Sequence, residues 1–184
     1  IAGATSLTLT RPMPAAGIYV YVLQVTDATG CTGADEVTVA VNPRPLITLS
    51  QPGATCMGEP IEITSIIICG SQPVYQWFRN NTPISGQNSP TLYLTDVPAG
   101  IHTFTLQVTS ENTCMGEEDV LVMVYAPPML SLNSTGGNCT GETAMVSVMA
   151  LGGLSPYTYQ WYANGTIIAG AINATYNISS ANAG

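Results

Sequence analysis

The feature that most constrains the fold is an internal repeat with a period of 83 residues. Leu23–Thr26 and Leu106–Thr109 both read Leu-Gln-Val-Thr, and the Tyr-Gln-Trp that ends at Trp77 recurs ending at Trp161, 84 positions later. Solenoid repeats are about 20–50 residues long, so this period corresponds to one small domain per repeat. Function is therefore to be sought in what a tandem array of domains does.

The repeat also predicts the domain boundaries. The segment after Ser6 resembles Thr91–Gly100, the closing part of a unit, so residues 1–42 are expected to be the C-terminal half of a repeat. Residues 43–127 then form a complete repeat, and residues 128–184 the N-terminal part of a third. We interpret the chain as a window on a longer array. The alternative, a mature protein with these ends, would leave strand edges unpaired.

The chain is acidic and poor in charge. It has three basic and eleven acidic residues, no lysine, and a net charge of −8 at pH 7. That balance argues against nucleic acid and anionic membranes as partners. No apolar run reaches about 18 residues, so no membrane span is predicted in this segment. A surface with few charges to repel neighbours favours contact with other copies of the repeat or chain.

The hydrophobic pattern predicts β-strands throughout. Apolar residues alternate with period two in Tyr19–Thr26, Thr103–Thr109 and Val120–Val124, and no stretch has a helical period. Turn sequences such as Asp27–Gly30 separate the alternating segments. About seven strands in about 85 residues is typical of an immunoglobulin-like sandwich. The predicted fold class is therefore all-β, with tandem immunoglobulin-like β-sandwiches of about seven strands.

The complete repeat can be divided into strands A to G, with a short element between C and E near Ile84–Gln87. Trp77 occupies the strand C position at which these sandwiches bury a tryptophan, and Trp161 repeats it. A sugar-stacking platform is the alternative, but a repeated tryptophan in mid-strand favours the core. The predicted strands are A, Leu46–Ser50; B, Glu59–Ile67; C, Val74–Arg79; E, Thr91–Leu94; F, Gly100–Thr109; and G, Glu118–Val124.

Four of the five cysteines stand in a Cys-x-Gly sequence at a predicted turn, two per repeat. This arrangement favours a disulfide framework and an oxidising compartment. Zinc is the alternative, but one thiolate per turn and a single histidine cannot supply four ligands within a repeat. Cys69 ends an apolar run and is predicted to be a buried free thiol. The disulfide candidates are Cys31 and Cys114 in F–G turns, and Cys56 and Cys139 in A–B turns.

The predicted strand order places the A–B and F–G turns at opposite ends of a sandwich. Strands of six residues separate those ends by about 20 Å, whereas a disulfide needs Cα atoms within about 7 Å. We therefore expect Cys56 to bond to the F–G cysteine of a following domain or another chain, not to Cys114. The linkers Asn42–Pro45 and Tyr125–Pro128 are short and contain proline, which stiffens the junctions.

Catalysis finds no support in the sequence. Tyr19 stands at the position equivalent to His102, so no nucleophile–base pair recurs in both repeats. Glu117, Glu118 and Asp119 cluster at the predicted F–G turn, where a weak calcium site is the alternative to solvated turn residues. No Asp-x-Asp-x-Asp-Gly loop accompanies them. We predict no catalytic, cofactor-binding or metal-binding residues, and hence no enzyme activity in this segment.

Three segments of the chain resemble a known family of repeats. The segment Gly17–Thr32 resembles the last third of the immunoglobulin-like and PKD-like repeats of secreted Bacteroidota proteins, and Cys56–Glu59 and Tyr75–Trp77 resemble the same repeats. The PKD-type Gly-Asp-Gly is missing after Trp77, which favours the immunoglobulin-like branch. Such repeats fill large surface adhesins, including gliding-motility adhesins, and proteins of the type IX secretion route. The resemblance implies an extracellular or cell-surface location.

Two function classes follow. The first is a structural or adhesive region that forms an extended rod or filament, with other copies, a surface polysaccharide or another cell as partner. The second is an array of spacers or carbohydrate-binding modules accessory to a secreted polysaccharide-degrading enzyme, which a row of exposed aromatic residues would favour. A third, a eukaryotic adhesion receptor, lacks the strand B–strand F cysteine pair that flanks the tryptophan in such domains.

Overall fold

The computed structural model describes residues 6, 8–13, 15–137, 139 and 141–178, and every regular element in them is a β-strand. No helix in this part of the chain has the length and hydrophobicity needed to cross a bilayer. The strands are β1 (Gly17–Thr26), β2 (Thr32–Val41), β3 (Leu46–Leu49), β4 (Thr55–Cys56), β5 (Ile61–Ile63), β6 (Ser65–Ile68), β7 (Val74–Arg79), β8 (Thr82–Pro83), β9 (Leu92–Leu94), β10 (Gly100–Thr109), β11 (Met115–Tyr125), β12 (Met129–Gly136), β13 (Ala144–Leu151), β14 (Tyr162–Ala163), β15 (Thr166–Ile167) and β16 (Thr175–Ile178).

The chain divides into two compact units. The first unit comprises Ile1–Gln51, Ile63–Leu92 and Thr103–Val120. The second comprises Pro52–Glu62, Tyr93–His102 and Leu121–Gly184.

The first unit contains several antiparallel pairings, among them the short pairing of β7 with β8. Strand β1 pairs with β2 as a hairpin that runs from Gly17 opposite Val41 to Thr26 opposite Thr32. Strand β3 pairs with β6, and β7 pairs with β10 so that Leu106 lies opposite Trp77. The alternation seen in the sequence is realised in β10, whose inward residues Phe104, Leu106 and Val108 are fully buried.

The second unit contains a parallel pairing and a three-stranded sheet. Cys56, the last residue of β4, lies opposite Tyr125, the last residue of β11, in a parallel register. Strands β12, β13 and β16 form an antiparallel sheet in that order, and β14 pairs with β15.

The strand order is that of an immunoglobulin-like sandwich. One sheet has the order β4-β11-β10-β7-β8, and the other strands from β3 to β11 pair as β3-β6 and β5-β9. These sets correspond to strands C, F and G on one side and A, B and E on the other. Strand β4 corresponds to the second half of strand A, and it pairs with β11 in the other sheet.

Strands C and F have the predicted bounds, and strand B differs from prediction. It is split at Thr64 into β5 and β6. The break coincides with two bonds to Ser50: Thr64 O accepts from Ser50 N at 2.9 Å, and Thr64 N–H donates to the Ser50 hydroxyl at 2.9 Å. In a regular ladder the Thr64 N–H would donate to a backbone carbonyl, but here it donates to the Ser50 hydroxyl.

The two tryptophans differ in burial. Trp77 is 0% exposed, and its indole Nε1 donates to Ser89 O at 2.9 Å. Trp161 makes the equivalent bond, to Asn173 O at 2.8 Å, but is only half-buried. The prediction that Cys69 is a buried thiol is wrong: it is half-buried, with Sγ donating to Gly70 O at 3.3 Å.

These facts predict unequal effects of truncating the two tryptophans. Trp77→Ala should lower the free energy of unfolding by about 3–5 kcal/mol, because it empties a fully buried site and leaves Ser89 O without its donor. Trp161→Ala should cost clearly less, since its ring already contacts solvent. Urea unfolding followed by circular dichroism measures both values, and equal losses would contradict the assignment of Trp77 to the core.

Candidate functional site: the cysteine turns and their linkers

The only histidine of the chain, His102, lies near the start of β10 and bonds to the corner that precedes this strand. His102 is buried, and its Nε2 lies 2.7 Å from Pro98 O. A carbonyl can only accept, so Nε2 carries the proton. At the equivalent place before β1, the Tyr19 hydroxyl donates to Ala15 O at 2.9 Å. Immunoglobulin-like domains use a tyrosine for this corner, so His102 has a structural explanation here.

The three acidic residues of the calcium alternative lie in a strand, not in a turn. Strand β11 begins at Met115, three residues earlier than predicted, so Glu117, Glu118 and Asp119 are all within it and all exposed. Successive side chains of a strand point to opposite faces, which separates neighbouring carboxylates. Within the described residues no group of three or more His, Cys, Asp or Glu side chains could hold a metal ion.

The two F–G turns have the same backbone. Between β1 and β2, Asp27 N donates to Cys31 O at 2.9 Å, and between β10 and β11, Ser110 N donates to Cys114 O at 2.9 Å. In the first turn the Thr29 hydroxyl donates to Asp27 Oδ1 at 2.7 Å. This bond, with those from the N–H groups of Cys31 and Thr29, lowers the pKa of Asp27 from its ordinary value. Each turn thus presents a cysteine at the start of the following strand.

The A–B turns also share one geometry, and it explains their Cys-x-Gly sequence. Glu59 N donates to Cys56 O at 3.1 Å, and Glu142 N donates to Cys139 O at 3.1 Å. The intervening glycines, Gly58 and Gly141, have φ of 95° and 92°. Side chains disfavour that backbone region, so the turn needs a glycine two residues after the cysteine.

Cys56 and Cys114 mark the two ends of the same strand. Cys114 directly precedes β11, and Cys56 is paired with its last residue, Tyr125. Ten steps along a strand span about 33 Å, far beyond the about 7 Å that a disulfide allows between Cα atoms. All five cysteines of the chain are free.

Each of these two cysteines lies beside a linker. The Cys114 thiol is 3.8 Å from Asn42 O, at the start of the linker Asn42–Pro45. Beside Cys56, Met57 N donates to Tyr125 O at 2.8 Å, at the start of the linker Tyr125–Pro128. The two linkers are 83 positions apart and therefore equivalent in the repeat.

One linker approaches its turn so closely that only glycine fits. A Cβ added at Gly116 would lie 2.4 Å from Pro45 O. The equivalent glycine of the first hairpin, Gly33, has nothing within 4 Å of such a Cβ. Gly116 was assigned in the sequence only to a Cys-x-Gly turn, and the backbone contact that requires it could not be read from the pattern.

A second role that the sequence did not reveal belongs to the glutamine of Tyr-Gln-Trp. The Gln76 side-chain Nε2 donates to Trp77 O at 2.7 Å and to Ile84 O at 3.1 Å. Gln160 repeats both bonds, to Trp161 O at 3.0 Å and Ile168 O at 2.8 Å. The amide therefore fastens the turn that follows strand C in both repeats. Two bonds to the same turn explain the recurrence of the motif.

Comparison with known proteins supports the fold. No family model and no curated protein matches the chain. The eight N-terminal Ig domains of Down Syndrome Cell Adhesion Molecule isoform 1.30.30 match 91% of this chain at 15% identity, with a TM-score of 0.54. The chain spans 34% of that structure's length. The chain is a tandem array of immunoglobulin-like β-sandwiches.

Two further structures show weaker likeness. A match to the complex of Dpr2 Ig1-Ig2 with DIP-Theta Ig1-Ig3 covers 83% of this chain and 55% of the matched chain, at 14% identity and with a TM-score of 0.41. A match to the fibronectin(III)-like modules of Clostridium thermocellum CbhA covers 73% of this chain and 78% of the matched chain, at 18% identity and with a TM-score of 0.37.

The corner bond predicts the effect of changing the histidine. His102→Ala should cost about 1–3 kcal/mol of unfolding free energy, because Pro98 O is left without its donor. His102→Tyr should cost less, since Tyr19 shows that a tyrosine can donate to the equivalent carbonyl. Thermal unfolding of the two variants provides the test. A tyrosine variant as unstable as the alanine variant would contradict the corner assignment.

The linker contact predicts a difference between equivalent glycines. Gly116→Ala should destabilise the fold by about 1–3 kcal/mol, because its methyl group overlaps the Pro45 backbone. Gly33→Ala is the matched control and should leave stability within error. Chemical unfolding of both variants checks this, and equal behaviour would show that Pro45 does not approach Gly116 in solution.

Proposed function

We propose that this chain is a non-catalytic structural or adhesive repeat region of a large secreted or cell-surface protein, and that it forms an extended rod or filament. Residues 43–127 are the complete repeat in this proposal, flanked by parts of two others. The observation that carries it is the position of the cysteine turns. Cys114 and Cys56 stand at the two ends of β11, each beside a linker.

Because the two linkers are equivalent in the repeat, the surroundings of both can be combined into one proposed junction between successive domains. Cys114, the F–G cysteine of the domain that follows the linker Asn42–Pro45, lies beside that linker. Cys56, the A–B cysteine of the domain that precedes the linker Tyr125–Pro128, lies beside that one. Every linker of an array would therefore have both cysteines, one from each neighbouring domain. A disulfide between them would fix the angle between successive domains and stiffen the rod.

The resemblance to Bacteroidota surface repeats supports an extracellular or cell-surface location for this rod, and an oxidising compartment would let such disulfides form. The few charges of the chain, with no lysine, place little repulsion between neighbouring copies. The partners in this proposal are other copies of the repeat or chain, with a surface polysaccharide or another cell as the adhesive target.

The accessory-module alternative has less support. A carbohydrate-binding sheet would present several aromatic rings on one face. Among the described residues, the large aromatic side chains that are mostly exposed are Tyr93 and Tyr162, at 56% and 61%. They lie in β9 and β14, which belong to different sheets. Two isolated rings favour a structural role over polysaccharide binding.

Disulfide mapping tests the proposed junction. A mixture of unlabelled and ¹⁵N-labelled chains is oxidised, digested without reduction and analysed by mass spectrometry. We expect cross-links that join an A–B cysteine (Cys56 or Cys139) to an F–G cysteine (Cys31 or Cys114) of a different chain. A bond between Cys56 and Cys114 of one chain would overturn the proposal, and so would bonds between two A–B cysteines.

Matched variants sharpen this experiment. Cys69→Ser should leave the pattern of cross-links unchanged, because Cys69 is in neither kind of turn. The double variant Cys56→Ser, Cys139→Ser should remove every cross-link. Cross-links that persist in the double variant, or that depend on Cys69, would show nonspecific oxidation instead of a designed junction.

A further inference from the structure

The outer face of strands β3 and β6 in the complete repeat is apolar and exposed. Strand alternation puts Leu46 and Thr48 on the outer side of β3, whereas Ile47 between them points inward and is buried. Leu46 lies opposite Ile68 and Thr48 opposite Ile66, so the four outward side chains form one cluster. Leu46, Ile66 and Ile68 are 63%, 71% and 67% exposed.

The residues 83 positions later repeat this cluster on β12 and β13. Met129 lies opposite Leu151 and Ser131 opposite Met149, which is the same register. Met129, Met149 and Leu151 are 70%, 61% and 55% exposed. We name this surface the A–B face: it consists of Leu46, Thr48, Ile66 and Ile68 in the complete repeat, and of Met129, Ser131, Met149 and Leu151 in the third repeat.

The exposure of the A–B face follows from its place outside the sandwich. The complete repeat contains every strand from A to G, and the cluster lies on the side of its sheet away from the core. An antiparallel sheet with one solvated face usually carries polar residues on that face. The residue types differ between the repeats at all three apolar positions, yet each stays large and apolar. This recurrence indicates that the face has a partner.

The A–B face carries no charge that would keep another protein away. Strands β3, β6, β12 and β13 contain no charged residue. Strands β3 and β12 lie at an edge of their sheets, where natural proteins commonly place lysine or other charges against association. Leucine, isoleucine and methionine side chains also offer no hydrogen-bond donor and no aromatic ring to a sugar. The chemistry therefore fits an uncharged apolar protein surface.

We propose that the A–B face packs against the A–B face of a second copy of this chain, so that two arrays associate side by side. A two-fold axis brings the same patch of both copies together and needs only a self-complementary surface. An array presents one such face per repeat, and a second copy offers the same faces at the same intervals. The inference rests on the proposed function in that other copies are the partner, but it needs no disulfide.

The area of the face argues that several repeats act together. Three apolar side chains present on the order of a few hundred Å², whereas a stable interface buries about 800 Å² per partner. One face is therefore too small to hold two copies together. Once one face has bound, the second face of the same chain binds at a high effective concentration, which strengthens the complex by about 10²–10⁴.

The experiment uses the whole 184-residue chain under reducing conditions, so that disulfides play no part. Sedimentation velocity over a range of concentrations should show dimers that dissociate on dilution. The double variant Ile66→Lys, Met149→Lys should stay monomeric, because like charges would meet in the contact. The matched control Ile101→Lys, Leu121→Lys adds the same two charges at exposed positions of β10 and β11, in the other sheet, and should dimerise like the unmodified chain.

Mixing two variants of opposite charge gives the sharpest outcome. The double variant Ile66→Glu, Met149→Glu should also be monomeric alone. Mixed with the lysine double variant it should form one-to-one dimers, because opposite charges now face each other. Ile66→Lys alone leaves one face intact and should raise the dissociation constant at least about 100-fold. Both substituted residues are exposed, so the variants should fold, and circular dichroism checks that they do.

Four results would overturn the inference. They are a chain that stays monomeric at every concentration, association that persists in the lysine double variant, equal loss of association in the matched control, and a mixture of the lysine and glutamate variants that forms no dimer. Persistent association would mean that the contact lies elsewhere on the chain. Disulfide mapping of the oxidised chain does not depend on this face, so the two proposals can fail separately.

Discussion

The pairing of β10 with β7 is the interaction on which the rest of this molecule depends. It places Leu106 opposite Trp77 and covers the strand C tryptophan completely. Where the equivalent strand is missing among the described residues, the tryptophan of the same motif is only half-buried, although its indole bond and its glutamine bonds are retained. Local hydrogen bonds therefore form the turn after strand C, but burial requires the F–G hairpin.

The sequence predicted the fold class and most of the strands because alternation and an internal repeat are strong signals. Strands C and F have the predicted bounds, as long alternating segments should. The two-residue strand β4 was not predicted, because two residues show no periodicity. Strand B was predicted as continuous, and its interruption at Thr64 coincides with a bond from Thr64 N–H to the hydroxyl of Ser50, the residue that follows β3. Such a bond is a tertiary event that no local pattern contains.

The candidate site was predictable in outline and not in detail. The Cys-x-Gly repetition identified the turns, and strand order predicted that Cys56 and Cys114 are far apart. The proximity of Asn42 to Cys114 and of Pro45 to Gly116 could not be predicted, because it depends on how the linker runs past the F–G turn. The acidic residues of β11 were predicted to lie in a turn, because consecutive polar residues at the start of a strand show no alternation that would indicate its first residue.

Burial of the strand C tryptophan by the F–G hairpin is tested most directly by hydrogen–deuterium exchange of the reduced chain and of its Leu106→Asp variant. Leu106 lies opposite Trp77 and is fully buried, so an aspartate at this position would place an unpaired carboxylate in the core. We predict slow exchange in β7 and β10 of the unmodified chain and fast exchange in both strands of the variant. Equally slow exchange in the two chains would contradict the dependence of the core on this pairing.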